Sequence, residues 1–289
     1  MENKLNILVT GANGQLGMEF RSLADRYPDY HFLFATKEAF PIDDPVTAEK
    51  YFTENKIGYC INCAAYTAVD KAETEKEIAF EINGTAVGRL AAICRKHGCR
   101  FFHFSTDYVF NGNATTPYTE SEPTDPVNAY GASKLLGETE AMRNNPDSII
   151  IRTSWVYSSY GKNFVKTMLR LMSEKEQISV VNDQVGCPTY AHDLAEAVMQ
   201  IIVKGNKEAK GVYSYCNSGV ISWYEFALAI KEISGSACIV NPVPSSQYPT
   251  PAKRPGYSVL DTAKFRETFD IRIPFWKDSL EKCMAILLK

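Results

Sequence analysis

The 289-residue chain has no surplus of either charge: 31 Lys and Arg face 34 Asp and Glu, leaving a formal net charge of −3. Like charges do not gather in blocks, so the electrostatic footprint of a nucleic-acid binder or of a protein held on anionic lipid is missing. Nowhere do about 18 apolar residues run together, as a membrane helix needs. The polar start, Met1 to Asn6, leads straight into the strand-like Leu5-Asn6-Ile7-Leu8-Val9, so no signal peptide is expected and the expected setting is the cytoplasm. Internal repeats and low-complexity tracts are also missing, which sets solenoids and disordered tails aside. Cysteine is not scarce, but the pattern of a disulfide framework is. Cys60, Cys63, Cys94, Cys99, Cys187, Cys216, Cys238 and Cys283 sit mostly in apolar runs, where a free thiol acts as a small buried hydrophobe. Cys60-Ile61-Asn62-Cys63 spells C-x-x-C, yet on a strand its two thiols would face opposite ways, and no second pair stands at zinc-ligand spacing, so no metal site is expected. With 45% hydrophobic and 22% charged residues, what remains is a soluble globular protein large enough to bury its own core. Its partner is then a small molecule or another protein.

Short apolar runs at 5–10, 31–35, 58–64, 100–105 and 148–153 alternate with amphipathic stretches near 15–26, 45–55, 75–97 and 129–144. This rhythm predicts an α/β fold with a doubly wound parallel sheet of the Rossmann kind. In 75–97 the residues Ile78, Ile82, Val87, Leu90, Ala91 and Cys94 recur at helical steps before the stop signal Gly98. After residue 153 the rhythm loosens: helices are expected near 162–173, 192–203, 222–234 and 275–288, and strands near 178–182 and 212–216. The segment 242–255, with Pro242, Pro244, Pro249, Pro251 and Pro255, is expected to be irregular and on the surface. Residues 1–153 are therefore expected to form an NAD(P)-binding domain, to which segments near 186–218 return. Residues 154–289 would then supply most of a smaller C-terminal α/β substrate domain.

Three groups of residues carry chemistry. Gly11-Ala12-Asn13-Gly14-Gln15-Leu16-Gly17 follows the first strand and opens the first helix. Glycines there allow a tight turn, let backbone N–H groups approach a pyrophosphate and let helix pack on strand, and the helix N-terminus favours negative charge. The spacing is G-x-x-G-x-x-G rather than the commoner G-x-G-x-x-G. The second strand runs into Thr36-Lys37, where an acidic residue would favour NAD through the ribose 2′-hydroxyl. A hydroxyl and an ammonium suit a 2′-phosphate instead, so NADPH is expected and NADH stays open, Lys37 being equally readable as a solvated loop charge. The third group is Tyr130-Gly131-Ala132-Ser133-Lys134, preceded by Ser105-Thr106-Asp107 at the end of a strand. Residues four apart share a helix face, so the Tyr130 phenol and Lys134 ammonium converge. The cation is expected to lower the phenol pKa and make Tyr130 a general acid/base, with Thr106 hydrogen-bonding a reacting carbonyl oxygen.

With Ala64-Ala65-Tyr66-Thr67-Ala68-Val69-Asp70, Ser105 to Phe110, Tyr130 to Lys134, Arg152 to Tyr157, Asn182 to Thr189 and Tyr248 to Pro255, the chain resembles the dTDP-4-dehydrorhamnose reductases, members of the extended short-chain dehydrogenase/reductase superfamily. The likeness runs over essentially the whole sequence. It implies reduction of dTDP-4-dehydro-β-L-rhamnose to dTDP-β-L-rhamnose for bacterial surface polysaccharide, by a monomer or homodimer. It further implies that Gly14, Gln15 and Leu16 touch the cofactor pyrophosphate and Thr36 the adenosine side, and that Ala64, Ala65 and Tyr66 line the cofactor crevice. Tyr130 and Lys134 would serve catalysis and the nicotinamide ribose. Val69, Thr106, Asp107, Trp155 and Arg254 would face the dTDP-sugar, although Trp155 on its own reads equally as a core anchor. Some relatives hold a divalent cation with acidic side chains; Glu19 matches one, but His192 stands at another, so neither metal nor metal-linked dimer is expected. Two rivals stay open at this stage. A dehydratase or epimerase on the same fold is one, and dehydratases resemble Thr-Asp-Glu where this chain has Thr106-Asp107-Tyr108. A regulatory subunit that binds NADPH without turnover is the other.

Overall fold

A computed structural model describes residues 4–206 and 208–289. The first half runs β1 (Leu5–Thr10), α1 (Gln15–Leu23), β2 (Tyr30–Ala35), α2 (Pro45–Asn55), β3 (Ile57–Asn62), α3 (Lys76–Phe80), α4 (Ala86–Lys96), β4 (Arg100–Thr106), α5 (Ala129–Asn144) and β5 (Ile149–Thr153). The second half continues with β6 (Val156–Tyr157), α6 (Phe164–Glu174), β7 (Gln177–Val181), β8 (Val185–Gly186), β9 (Thr189–Tyr190), α7 (Ala191–Lys204), β10 (Gly211–Ser214), β11 (Ile221–Ser222), α8 (Trp223–Ser234), β12 (Ile239–Val243), α9 (Ala263–Phe269) and α10 (Trp276–Leu287). Among the described residues no helix is long and apolar enough to cross a membrane.

Six parallel strands form the central sheet in the order β10-β5-β4-β3-β1-β2. Their alternating side chains feed two apolar layers. Ile7, Val9, Ile61, Phe102 and Ile151 face Phe20 of α1 and Leu194 and Val198 of α7. Leu8, Cys60, Phe101 and Ile150 face Phe52 of α2, Leu90 of α4 and Ala141 of α5. Helices on both faces explain why these strands read as nearly unbroken apolar runs. From β1 the chain winds outward to β2 and then returns to the other side as β3, so the carboxyl ends of β1 and β3 flank a crevice of the kind in which open α/β sheets bind ligands. A separate apolar core joins α6, α8 and α10 to the two-stranded β7–β12 sheet, through Val165, Met168, Ile178, Phe226, Val240 and Leu280.

The expected helix over 75–97 is instead α3 and α4 joined by a π turn at Glu81–Thr85. One surplus residue enters the turn, which accounts for the five-residue step from Ile82 to Val87. The segment 242–255 is less irregular and less exposed than expected: Pro242 and Val243 belong to β12, an outer strand where a missing N–H is tolerated, and Ala252 and Pro255 are buried. The short helix α9 has no counterpart in the expected elements. All eight cysteines are free thiols.

Candidate active site

The glycine loop is held by contacts that leave no room for side chains. Gly11 has φ +60°, and a Cβ on it would lie 2.6 Å from the Ala64 nitrogen; one on Gly17 would meet the Gly11 oxygen at 2.5 Å. Gly14 is the N-cap of α1 and supplies no side-chain acceptor, so the opening N–H groups of that helix lack a side-chain partner. This is the cradle a pyrophosphate fits, with the macrodipole favouring its charge. Gln15 reaches sideways, its Oε1 accepting from Asn163 Nδ2 at 2.8 Å, and Leu16 packs on the first apolar layer. Ala64 and Ala65 flank the loop from the end of β3. Tyr66 has no free polar group: its hydroxyl donates to Glu75 at 2.5 Å, and its backbone N–H and C=O bond Asn83 at 2.8 and 2.9 Å. The Glu75 contact pushes the phenol up to about 12. Thr36 and Lys37 follow β2 as expected, but the Thr36 hydroxyl is engaged by Glu38, whose carboxylate it holds below the usual range. Glu38 thus places a negative charge beside the expected 2′-phosphate position.

Beyond the crevice, the carboxyl end of β4 meets the start of α5. Asn128 caps that helix by accepting from Gly131 N–H at 2.7 Å, and Glu73 accepts from Ala129 N–H at 2.8 Å, fixing the turn that carries Tyr130. Thr106 Oγ1 donates to Asp107 Oδ1 at 2.9 Å and accepts from Tyr108 N–H at 3.2 Å. Asp107 is 3% exposed, and burial raises its carboxyl to about 7 despite the Thr106 hydrogen bond. The expected depression of the Tyr130 phenol is not found. Burial, and secondly the charge of Asp107, push it well above 10, outweighing its hydrogen bond with Thr106. Lys134 does not offset this, since its ammonium turns to His103 Nε2 at 3.4 Å and burial lowers its own pKa to about 8.

Across the opening, Arg254 Nη2 donates to both Asp70 carboxylate oxygens at 3.1 and 3.0 Å, and Nη1 donates to the Tyr108 hydroxyl at 3.3 Å. The expected phosphate ligand therefore already holds a carboxylate partner, next to Val69. Asn128 Nδ2 donates to the Lys253 carbonyl at 2.9 Å, so the cap of the Tyr130 helix also pins the basic loop. Tyr108 and Tyr130 meet edge to face at 5.9 Å. Trp155 adopts φ +49°, a left-handed backbone rare for a bulky residue, and lies half-buried with its indole stacked on Trp223 at 3.6 Å. A Cβ on Gly186 would come within 2.7 Å of that indole.

Glu19 and His192 are joined directly. His192 Nδ1 lies 3.0 Å from Glu19 Oε2, Ser158 Oγ donates to Glu19 Oε1 at 2.5 Å, and Glu196 flanks the ring at 3.7 Å. The two carboxylates hold the imidazole up at about 9. Two site residues escaped the sequence reading. Asn83, buried in the π turn, clamps Tyr66 and donates to Ser133 Oγ at 3.0 Å, tying the β3 loop to α5. His103, beneath Lys134, stands as a polar residue inside the apolar run Phe101-Phe102-His103-Phe104, a signal open to reading.

Comparison with known proteins places this geometry. The family model described as RmlD substrate binding domain matches residues 5–288. A dTDP-4-dehydrorhamnose reductase of Burkholderia thailandensis is 41% identical over 98% of this chain and 99% of its own. A solved dTDP-4-dehydrorhamnose reductase of Clostridium acetobutylicum superposes with a TM-score of 0.94 at 39% identity, covering 99% of this chain and 100% of that one. One from Bacillus anthracis, in complex with NADP, gives 0.94 at 36%, covering 98% and 100%.

Proposed function

Since the chain belongs to the dTDP-4-dehydrorhamnose reductase family, we propose that it reduces the C4 ketone of dTDP-4-dehydro-β-L-rhamnose to dTDP-β-L-rhamnose with NADPH, a step toward bacterial surface polysaccharide. The observation that carries this reading is the hydrogen bond of Thr106 with Tyr130 at the sheet's carboxyl edge, with Lys134 one helical turn on, beside a glycine cradle suited to a dinucleotide. Gly11, Gly14 and Gly17 would hold the pyrophosphate of a nicotinamide cofactor, which when bound would supply the hydride for sugar C4.

The chain's own groups handle the proton. Tyr130 keeps its proton throughout the neutral range because its phenol is raised, and it gives that proton to O4 as negative charge grows there. Thr106 stabilises the same oxygen, which requires its hydroxyl to turn from Asp107 toward the substrate. Lys134, charged below about pH 8, does not lower the phenol by itself; one helical turn from Tyr130, its ammonium would be the donor to the nicotinamide ribose. Arg254 and Trp155 serve the sugar nucleotide, the first at the diphosphate and the second by its indole face. The same proposal divides the chain into a cofactor domain, residues 1–153 with part of 186–218, and a sugar-nucleotide domain formed mainly by 154–289. The return of β10 to the main sheet and the separate core around α6, α8 and α10 support that division. A cytoplasmic setting belongs to the proposal too. The test is to mix protein, NADPH and dTDP-4-dehydrorhamnose and follow absorbance at 340 nm. Substrate-dependent loss of NADPH with equal formation of dTDP-rhamnose is expected; no loss above the substrate-free rate overturns the reading.

A further inference from the structure

A row of polar side chains crosses the middle of the sheet just below the site. Thr10 of β1 is the register partner of Asn62 of β3, and Asn62 that of His103 of β4. All three side chains point to the layer that packs against α4 and α5, and none is more than 1% exposed. Their partners are one another, the Ala64 N–H, which donates to Thr10 Oγ1 at 3.4 Å, and Lys134. Thr10 Oγ1 and Asn62 Oδ1 are 2.6 Å apart, Asn62 Nδ2 and His103 Nδ1 3.1 Å, and His103 Nε2 and Lys134 Nζ 3.4 Å. Burying three such groups where neighbouring positions hold Leu8, Cys60 and Phe101 is unfavourable for every hydrogen bond left unmade. A purely packing role does not need them.

The donor count settles the row's direction. A charged lysine has three donors and no acceptor, so His103 Nε2 must offer it a lone pair. A neutral imidazole with a bare Nε2 carries its proton on Nδ1, and that proton needs an acceptor. As placed, Thr10 Oγ1 donates to Asn62 Oδ1 and the Asn62 NH2 faces His103 Nδ1; the two ends of the amide are nearly the same shape, and turning it presents the carbonyl to Nδ1 and the NH2 to Thr10 Oγ1. We propose that His103 is a positioning residue for catalysis: as the neutral Nδ1–H tautomer, locked by the Thr10–Asn62 row, it accepts from the Lys134 ammonium and holds that charge in place near Tyr130.

Burial keeps the imidazole neutral, well below its ordinary pKa, with the facing Lys134 adding to the effect. The other charged groups around Lys134 are accounted for. Glu138 of α5 is gripped by Arg152 of β5 at 2.9 and 2.7 Å, and Asp107, beyond β4, is bonded to Thr106. Asn62 of β3 and Asn83 of the π turn are uncharged. His103 is thus the neutral acceptor that steadies an otherwise desolvated ammonium.

The kinetic half of the test rests on the reductase reading; the spectroscopic half does not. In the full-length protein labelled with 15N-histidine, His103 is identified by replacing His31, His97 and His192 with Gln in turn. A neutral ring with protonated Nδ1 and bare Nε2, unchanged from pH 6 to 8, is expected. The Nε2–H tautomer, or a ring titrating near its ordinary pKa, overturns the proposal. In pH profiles of kcat/KM, His103→Phe, which offers no acceptor, should move the basic limb down by about half a pH unit or more. His103→Gln, whose carbonyl can accept, should restore it. A limb unmoved in both variants overturns the proposal, and if neither variant folds the spectrum decides. Absence of NADPH oxidation in the wild type would end the reductase reading and leave the tautomer result standing.

Discussion

The two walls of the cleft are built on different principles. On the sheet wall, Thr106, Asp107, Lys134 and His103 are at most 5% exposed, their places are set by strand register and by α5, and burial is the main cause of the shifted pKa values of Asp107, Lys134 and His103. On the opposite wall, Arg254 and Asp70 keep side-chain exposures of 26% and 40% and answer each other by charge. The sheet wall can therefore hold a proton against water. The loop wall can exchange one anionic partner for another, which is what a charged substrate requires. On the proposed function, chemistry would sit where atoms cannot move, and recognition where they can.

The sharpest way to break this contrast is Tyr130→Phe. Losing the proton donor should lower kcat by roughly 10²–10⁴-fold while NADPH binding, followed by fluorescence titration, stays near wild type. Turnover within a few-fold would put the acid elsewhere. On the loop wall a smaller effect is expected. Arg254→Ala should raise KM for the sugar nucleotide about tenfold, one charge-assisted contact being worth roughly 1.5–3 kcal/mol, with NADPH affinity unchanged. Weaker NADPH binding with a steady sugar KM would assign the loop to the cofactor.

The Glu19–His192 pair mixes both principles, since Glu19 is 2% exposed while the His192 side chain is 29% exposed. Its folded pKa, about 9, lies above the value of about 6.5 in an unfolded chain, so its stabilisation is complete below about pH 6.5 and fades as pH rises through 9. Denaturant unfolding of His192→Gln against wild type should therefore show a gap of about 1–2 kcal/mol at pH 6 that narrows by pH 9.5. An equal gap at both pH values would mean that packing rather than charge holds the pair. The smallest effect is expected at the cofactor's far end: Thr36→Asp should raise KM several-fold more for NADPH than for NADH, by repulsion of the 2′-phosphate. Equal changes would remove Thr36 from that contact, and Glu38 is then the residue to exchange.

The sheet wall was the more legible in sequence. The runs that became β1 to β5, the glycine loop and the four-residue step from Tyr130 to Lys134 follow from local periodicity and turn chemistry. Pairings between distant residues were not legible. Nothing local to Arg254 announces Asp70, and nothing in Tyr130-x-x-x-Lys134 tells that the ammonium turns to His103 and that burial overrides it at the phenol. Asn83 lay hidden because a π turn disguises itself as a slightly irregular helix. The strand at Pro242, parallel to β7, was obscured by prolines that an outer strand tolerates.

That turn at Glu81–Thr85 also sets a limit on how the protein can change. An α-helix advances roughly 100° per residue, so the extra residue rotates everything on one side of it by about that angle against the other. Deleting a single residue there would repair the helix and ruin the molecule's phase: Asn83 would swing away from Tyr66 and Ser133, while the segment still satisfied every helical preference. The bond between the cofactor crevice and the Tyr130 helix therefore depends on chain length being out of step by one, and insertions or deletions in this stretch are tolerated only in numbers that preserve the offset.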